Sequence, residues 1–513
     1  MAKEKNNHSF LSQDDTVSMK GLSNGYASYL YGYPLVLMGI TENLTQSTIE
    51  TASSGGAPIN QLGKQREFPS TEFSAVVLPS TSTLYVSAFM NLRKEPLILH
   101  LPDFGDRFFQ MPILDGWSNV NKDSPSTRLG SPEGDYVIVG PSDNRDYSGD
   151  GRIVIKMDTD TAWMVGRVFT DASDKDLAFI NENLYPSLTL TPWSKRNDPN
   201  FQPDADLPLN PFIEKFGSPV VSLENMNAGM FFTKLAAMMN FNASVLPRDE
   251  EMIKKLVEIG FTFDKDGVSF EYGKLSEADA KKFRKEPKKA KLQIQKNQAK
   301  LEEEVAKAKL YLHFPPIDQE VVETGWVFPK EVELAEFADN YKFRAKIARW
   351  AFGANPVEDV LYGYGRVKSG DGKNKFTVTF DTLPPASEKA FWSVTIYNSD
   401  GTLVYNTNAI DAGVEYNAIG IPYVQEHKPK LHNLGKSITL YLQSDAPEVG
   451  STEFQNWLPT PNQPDSEGSK DFIVFLRIYI PELVLQEDGQ PAVEDGCYIP
   501  KRNWFPGSIT KAN

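Results

Sequence analysis

Four aspartates, Asp103, Asp106, Asp115 and Asp135, stand in or beside the turns of one β-patterned stretch of this 513-residue chain. Two carboxylates within reach of one bond can divide acid and base work, which is hydrolase chemistry. Aspartate also caps turns by bonding its own backbone, and that accounts for the same residues without a reaction. Two arginines suggest different chemistry: Arg344 lies beside the apolar stripe of a helix, and Arg477 lies inside the apolar run 472–480. A guanidinium so placed has to meet a carboxylate or carbonyls, as an internal anchor or as part of an anion site, and its desolvation cost favours the anchor. Trp117, Trp392 and Trp457 each neighbour Ser or Asn. An aromatic face with polar neighbours suits a sugar, although β-sandwich cores bury tryptophan as readily. With Tyr85 and Arg107 added, the candidate ligand contacts are Tyr85, Asp103, Asp106, Arg107, Asp115, Trp117, Arg344, Trp392, Trp457 and Arg477.

Short motifs add little. Asp103-Phe104-Gly105 imitates a kinase magnesium motif without the upstream Gly-rich loop. Gly435-Lys436-Ser437 resembles the end of a phosphate-binding loop, but its first glycine is replaced by Lys430. Gly363-Tyr364-Gly365 lacks the third glycine of a dinucleotide site. His8, His100, His313, His427 and His432 form no Glu-x-x-His frame, and no Gly-x-Ser-x-Gly elbow occurs, so neither a metal nor another cofactor is expected. The single Cys497 excludes an intramolecular disulfide framework. A net charge of −15 repels phosphate backbones, which argues against nucleic acid as a partner. The Lys-rich stretch 281–300 reads as a solvated helix balanced by Glu302, Glu303 and Glu304.

The length predicts two or three domains. The first fifteen residues lack the apolar centre of a signal peptide, and the run 29–40 is broken by Gly32 and Pro34 short of the roughly 20 residues that span a bilayer. A soluble protein of open compartment is expected, with no membrane contact. Asp14 and Asp15 can cap a helix whose Met19, Leu22, Tyr26, Tyr29 and Tyr33 share one face, weakened by Gly21 and Gly25. Alternating patterns predict strands over 84–92, 96–101, 107–114, 136–139, 152–157 and 162–169. Residues 226–241 are too uniformly apolar for a surface helix. Beyond Pro247 comes a cleaner helix with Met252, Ile253, Leu256 and Val257 buried and Gly260 at its end. A charged helical stretch, 276–308, is broken at Pro287, and a last helix carries Leu334, Ala338, Tyr341, Ala345, Ala348 and Phe352 on one face before Gly353. Strands follow over 376–380, 438–443 and 472–480.

Between these lies the run from Pro384 to Tyr405. Trp392, Val394 and Ile396 alternate with Ser393, Thr395 and Tyr397, the mark of a half-buried strand, and Asn398 to Gly401 can turn it into a hairpin. The expected fold is mainly β with helical segments: two antiparallel, jelly-roll-like β-sandwich domains joined by a helical insertion. The divisions are an N-terminal helical segment (1–50), a first β-sandwich (51–196), an insertion with linker helix (197–353) and a second β-sandwich (354–513).

Ordered landmarks then resemble known families. The first half carries Tyr31-Gly32-Tyr33-Pro34, Thr83-Leu84-Tyr85, Glu95-Pro96-Leu97 and Asp115-Gly116-Trp117-Ser118-Asn119-Val120. The second carries Arg344-Ala345, Leu383-Pro384-Pro385, Phe391-Trp392-Ser393-Val394-Thr395, Asn456-Trp457-Leu458-Pro459 and Arg477-Ile478-Tyr479-Ile480-Pro481. Together they resemble the paired domain-of-unknown-function families 1254 and 1214. The resemblance implies two β-sandwich domains with flanking helices and brings no reaction. It also exposes departures: Ser82 and Asn91 stand where the family pattern usually has acids, so any chemistry those acids perform elsewhere would be lost here. The leading expectation is therefore a non-catalytic structural or interaction scaffold that self-associates or binds other protein subunits. The alternative is a hydrolase or a small-ligand or saccharide binder with a cleft between the β domains.

Overall fold

The computed structural model describes residues 19, 21–47, 56–68, 71, 78–147, 149, 151–171, 173–203, 218–242, 249–313, 326, 340–414, 418–421, 437–465, 468–485, 493, 494, 497, 498, 504 and 506–512. Asp14, Asp15, His8, His427, His432, Leu334 and Ala338 lie outside them.

In the first half, period-two alternation produces β1 (Thr83–Asn91), β2 (Leu97–Leu101), β3 (Gly134–Val139), β4 (Ile153–Lys156), β5 (Thr161–Phe169) and β6 (Thr189–Pro192). The strand expected over 107–114 is instead two short pieces, Phe109–Gln110 and Ile113–Asp115, both paired with β5. Pro112 between them has no N–H to give the ladder, while its carbonyl accepts from Val165 N at 3.0 Å. One sheet runs Gly63–Lys64, β1, β5, Phe109–Gln110, and the other β4, β3, β2, β6. Pairing is antiparallel except that β3 and β4 run parallel. Leu84, Val86, Ala88 and Met90 of β1 share an apolar core with Leu97 and Leu99 of β2 and Tyr136 and Ile138 of β3.

The helices form a layer on the outer face of the β1–β5 sheet. They are α1 (Asn24–Ser47), α2 (Ala228–Phe241), α3 (Glu250–Ile259), α4 (Pro287–Leu312) and α5 (Tyr341–Ala351), joined in one core by Phe89, Trp163 and Val165 of the sheet. The first helix does not show a single apolar face. Tyr29, Leu30, Tyr31, Tyr33, Leu35, Val36, Leu37 and Met38 are all buried, because the other helices pack around it. Its glycines, spaced by seven, are the points of close approach. A Cβ on Gly32 would stand 2.5 Å from Leu235 Cδ2, one on Gly39 2.6 Å from Met238 Sδ, and one on Gly25 2.6 Å from Leu301 Cδ1. Conversely, α2 does keep a solvent face, with Met230 57% exposed. Gly260 ends α3 in the left-handed region at φ +120, as expected, but Val257 points outward. No helix among the described residues is long and apolar enough to cross a membrane.

The second half contains β7 (Val360–Val367), β8 (Phe376–Phe380), β9 (Trp392–Asn398), β10 (Ile438–Gln443) and β11 (Phe472–Tyr479). One sheet runs β7, β11, β9, Ala418–Ile421, and the other Trp457–Pro459, β10, β8, Ile509–Lys511. Trp392, Val394 and Ile396 face the shared core with Val378, Leu440 and Leu476, as the alternation requires. The strand is not half-buried, however. Ser393, Thr395 and Tyr397 are wholly enclosed as well, since this face abuts the first half, where Tyr397 Oη donates to Pro79 O at 2.6 Å. The Asn398–Gly401 turn forms, with Gly401 N donating to Asn398 O at 2.9 Å. Its return arm makes only an isolated bridge from Leu403 to Tyr397, and the full-length partner of β9 is β11.

Candidate functional site

Two cross-strand pairs build the site. In the first half the register sets Tyr85 of β1 opposite Arg167 of β5. In the second it sets Tyr362 of β7 opposite Arg477 of β11. Alternation turns all four side chains away from the core inside their own half. The two faces then meet around a partly open cavity of about 40 Å³ lined by Tyr85, Val165, Arg167, Tyr362, Phe475, Arg477 and Tyr479. Leu78 and the segment 351–354 at the end of α5 also line it. Gly353 takes φ +82 there, a conformation that costs glycine little.

Both guanidiniums are nearly inaccessible, with Arg167 8% and Arg477 5% exposed. Arg167 donates to Val165 O at 3.0 Å and to Gly353 O at 2.9 Å, and its guanidinium lies 5.3 Å from the Tyr85 ring centroid. Arg477 Nη2 donates to Leu78 O at 2.7 Å, and the guanidinium covers Phe475 at 4.4 Å. Its Nη1 has no partner among the described residues. Neither arginine forms an ion pair with a carboxylate among those residues; carbonyls, Asn355 and rings surround them instead.

The hydroxyls add further donors. Tyr85 Oη accepts from Ser80 N at 2.8 Å, and Tyr362 Oη accepts from Asn355 N at 3.1 Å and Asn355 Nδ2 at 2.9 Å. Each phenol therefore keeps its own proton to donate, and no acceptor among the described residues receives it. Tyr479 Oη lies 3.3 Å from Ser80 Oγ. Burial pushes Tyr479 up to about 12, against the pull of Arg477 and Arg167, and burial raises Tyr397 too. These phenols stay protonated near neutrality and do not neutralise the arginines. For Arg477, burial opposes the charge, but the oxygens of Tyr397, Tyr479, Tyr85 and Tyr362 outweigh it and hold its pKa above the ordinary guanidinium value. The cavity thus presents positive charge and spare donors. No carboxylate or imidazole lines it among the described residues to move a proton.

Residues 59–192 match the family model described as "Protein of unknown function (DUF1254)", and residues 365–483 match "Protein of unknown function (DUF1214)". The chain joins a DUF1254 region to a DUF1214 region. The fold is similar to the crystal structure of the VPA0106 protein from Vibrio parahaemolyticus, with a TM-score of 0.55, 17% identity, and coverage of 96% of this chain and 99% of that one. That likeness speaks to fold alone. An uncharacterized protein from Burkholderia cenocepacia reaches a TM-score of 0.38 at 12% identity over 88% of this chain and 85% of that one, too distant to carry an argument. No curated protein matches.

Tyr85 and Arg167 come from the DUF1254 region, Arg477 and Tyr479 from the DUF1214 region, and Tyr362 lies just before the latter. Of the residues picked out from the sequence, only Tyr85 and Arg477 meet in this cavity. Asp115, Trp117 and Arg344 come together elsewhere, in solid packing. Arg344 is caged by Tyr31, Trp117 and Tyr341 at 5.7, 5.1 and 5.1 Å. Asp115 caps its own turn by accepting from Trp117 N at 2.9 Å and Asn119 N at 2.8 Å, and burial raises its pKa. Within the DUF1254 region Asp103 is exposed and accepts from Gly105 N at 2.8 Å. Asp106 and Arg107 border a surface hollow beside Phe391, where Arg107 pairs with Asp176. Within the DUF1214 region Trp392 lies in the two-sheet core, and Trp457 lies in a separate cluster, its Nε1 donating to Gln443 O at 2.8 Å. Sequence reasoning missed Arg167, Tyr362 and Tyr479. Arg167 carried a usable signal, a lone arginine inside the apolar run 161–169, as Arg477 does in its own.

Proposed function

We propose that this protein is a non-catalytic ligand-binding protein in which two β-sandwich halves close on a small, acceptor-bearing molecule. One observation carries the reading: Arg167, Arg477, Tyr85 and Tyr362 line one partly open cavity where the halves meet, and neither guanidinium pairs with a carboxylate among the described residues. Buried charges are almost always paired, so two cations that are not point to an occupant that accepts. The sandwich description is supported by the apolar core shared between the two sheets of each half. On this reading the boundaries near residues 50, 196 and 353 separate β units from helices that act as one layer. A saccharide demands more room than about 40 Å³, since ligand pockets usually run to roughly 300 Å³ and more. A second reading, a scaffold for self-association or other subunits, is favoured by the apolar trough on α2 formed by Met226, Met230, Ala237 and Tyr272.

Bromide, a monatomic acceptor, tests the first reading. Crystals of the full chain soaked in bromide should show an anomalous peak in this cavity, beside Tyr85, Tyr362 and the two arginines. Bromide found only on the outer surface, with nothing in the cavity, would overturn it.

A further inference from the structure

We infer that α4 lays its outer face on an anionic lipid surface, with lysines at the headgroup phosphates and two leucines among the acyl chains. Such a contact uses the helical layer and is independent of the cavity between the halves.

Charge gives the first ground. Between residues 281 and 300 the chain carries nine cations and one acid, Glu286, which puts +8 on one stretch of a chain whose net charge is −15. All nine cations are exposed. The three glutamates that follow do not neutralise them, because two turn inward. Glu302 accepts from Ala228 N at 3.0 Å and from the Tyr272 hydroxyl, and Glu304 accepts from Gly25 N at 2.7 Å, so each serves the first turn of a neighbouring helix. Glu303 stays outside and pairs with Lys307 at 2.7 Å. Lys289 pairs with Glu286, and Lys300 reaches Glu304 at 3.7 Å, but Lys288, Lys291 and Lys296 meet no acid among the described residues.

The apolar residues select the partner. Leu301, Val305, Ala308 and Leu312 hold α4 to the protein, whereas Leu292 and Leu310 are 53% and 75% exposed. The two exposed leucines stand five whole turns apart, so they share the outer face, about 27 Å from one another along the axis. A bilayer surface takes both kinds of group: ammonium heads stay at the phosphates while leucine side chains pass below them. Basic clusters of this size on a helix are what anionic lipids attract. Protein interfaces deplete lysine and favour arginine, yet eight of the nine cations are lysine. Single-stranded nucleic acid is gripped by stacking on aromatic rings, and the exposed residues of α4 include none. The helix is about 10 Å across, more than the roughly 8 Å over which salt screens charge, so the acidic body behind it does not cancel the attraction.

Co-sedimentation of the full chain with vesicles decides the matter, using phosphatidylcholine alone or mixed with roughly one third phosphatidylserine in about 0.1 M salt. The chain should pellet with the mixed vesicles and stay in solution with phosphatidylcholine. Lys288→Gln, Lys291→Gln and Lys296→Gln together should weaken binding about 100-fold, at roughly fivefold per lysine. Leu292→Ser with Leu310→Ser should weaken it about 10-fold and leave thermal unfolding unchanged, since both side chains are exposed. No preference for phosphatidylserine, or an unchanged affinity in either variant, would overturn the assignment. Release of the chain from the vesicles by polyglutamate or duplex DNA at equal charge would overturn it too, by giving the lysine face to an acidic protein or to nucleic acid.

Discussion

Arg107 and Arg477 both stand where the two halves meet, and they are treated in opposite ways. Arg107 grips Asp176 with two hydrogen bonds, Nη1 to Oδ2 at 2.9 Å and Nη2 to Oδ1 at 2.5 Å, and also donates to Phe169 O at 2.7 Å. Thr170 Oγ1 donates to the same carboxylate at 2.8 Å. Arg477, more deeply buried, receives one carbonyl and the faces of rings. Arg349 follows the first pattern, pairing with Glu224 at 2.6 Å. Arg344 shows that an arginine can also be stored in an aromatic cage. The contrast separates anchor from receptor. At Arg107 and Arg349, which hold the fold, the chain supplies an acid; at Arg344 it supplies rings alone, and at Arg167 and Arg477 protonated phenols and space.

The sharpest way to break that distinction is to remove one side of each arrangement. Asp176→Ala strands Arg107 and should cost about 3–5 kcal/mol in urea unfolding, whatever anion is present. Acid adds a check with a defined sign. Burial works against the Asp176 charge, but the hydrogen bonds from Arg107 and Thr170 outweigh it and hold the carboxyl below its ordinary 3.8. Its contribution is therefore present above pH 3.8 and is lost as pH falls through the lower folded value. Arg477→Met is expected to cost less, about 1–3 kcal/mol, because it breaks no ion pair and only leaves Leu78 O without its donor. A loss as large as that of Asp176→Ala would make Arg477 a second anchor and erase the contrast.

At alkaline pH the two places should diverge again, by less. Tyr479 is raised from 10.0 to about 12 by burial. A group raised on folding adds stability that is whole below its unfolded value and disappears as pH climbs through the folded one, so the Tyr479 share is lost between pH 10 and about 12. Thermal unfolding between pH 9 and 12 should show a shallower decline in Tyr479→Phe than in the parent. Identical slopes would mean that Tyr479 ionises as freely in the folded chain as in the unfolded one.

Strand positions were legible because apolar alternation dictates them, and Arg477 stood out because a cation inside an apolar strand needs explaining. Arg167 presented the same signal in a stretch read only for its strand. The meeting of Tyr85, Arg167, Tyr362 and Arg477 was not legible, since it depends on two registers and on the docking of the halves, none of which is local to the sequence. The polar face of β9 misled for a related reason. Ser393, Thr395 and Tyr397 look solvent-facing, yet small hydroxyls and one phenol can be enclosed by another body of the same chain. In α1, Gly25 reads as helix weakening, whereas with Gly32 and Gly39 it marks where α4 and α2 come closest. Glycine reports both, and spacing by seven is the clue that selects between them.

The smallest expected effect tests whether the halves are held together by surface charge or by the buried contacts around the cavity. Arg128, in the first half, meets Asp359, just before β7, with Nε 2.5 Å from Oδ1, and their side chains keep 29% and 13% of their exposure. Such a partly solvated pair is worth about 0–1 kcal/mol, because water screens the attraction and ordering two side chains costs entropy. The backbone at Asp359 has its own bonds, its N–H to Pro356 O at 3.0 Å and its carbonyl from Ile480 N at 2.8 Å, so Asp359→Asn should leave the local chain in place. Tyr397→Phe instead deletes the buried bond to Pro79 O at 2.6 Å and leaves that carbonyl without the Tyr397 donor, a loss of about 1–3 kcal/mol. Urea unfolding should therefore rank Tyr397→Phe clearly above Asp359→Asn. The reverse order would mean that the rim carries the junction and that the buried face, including the two arginines, is passive packing.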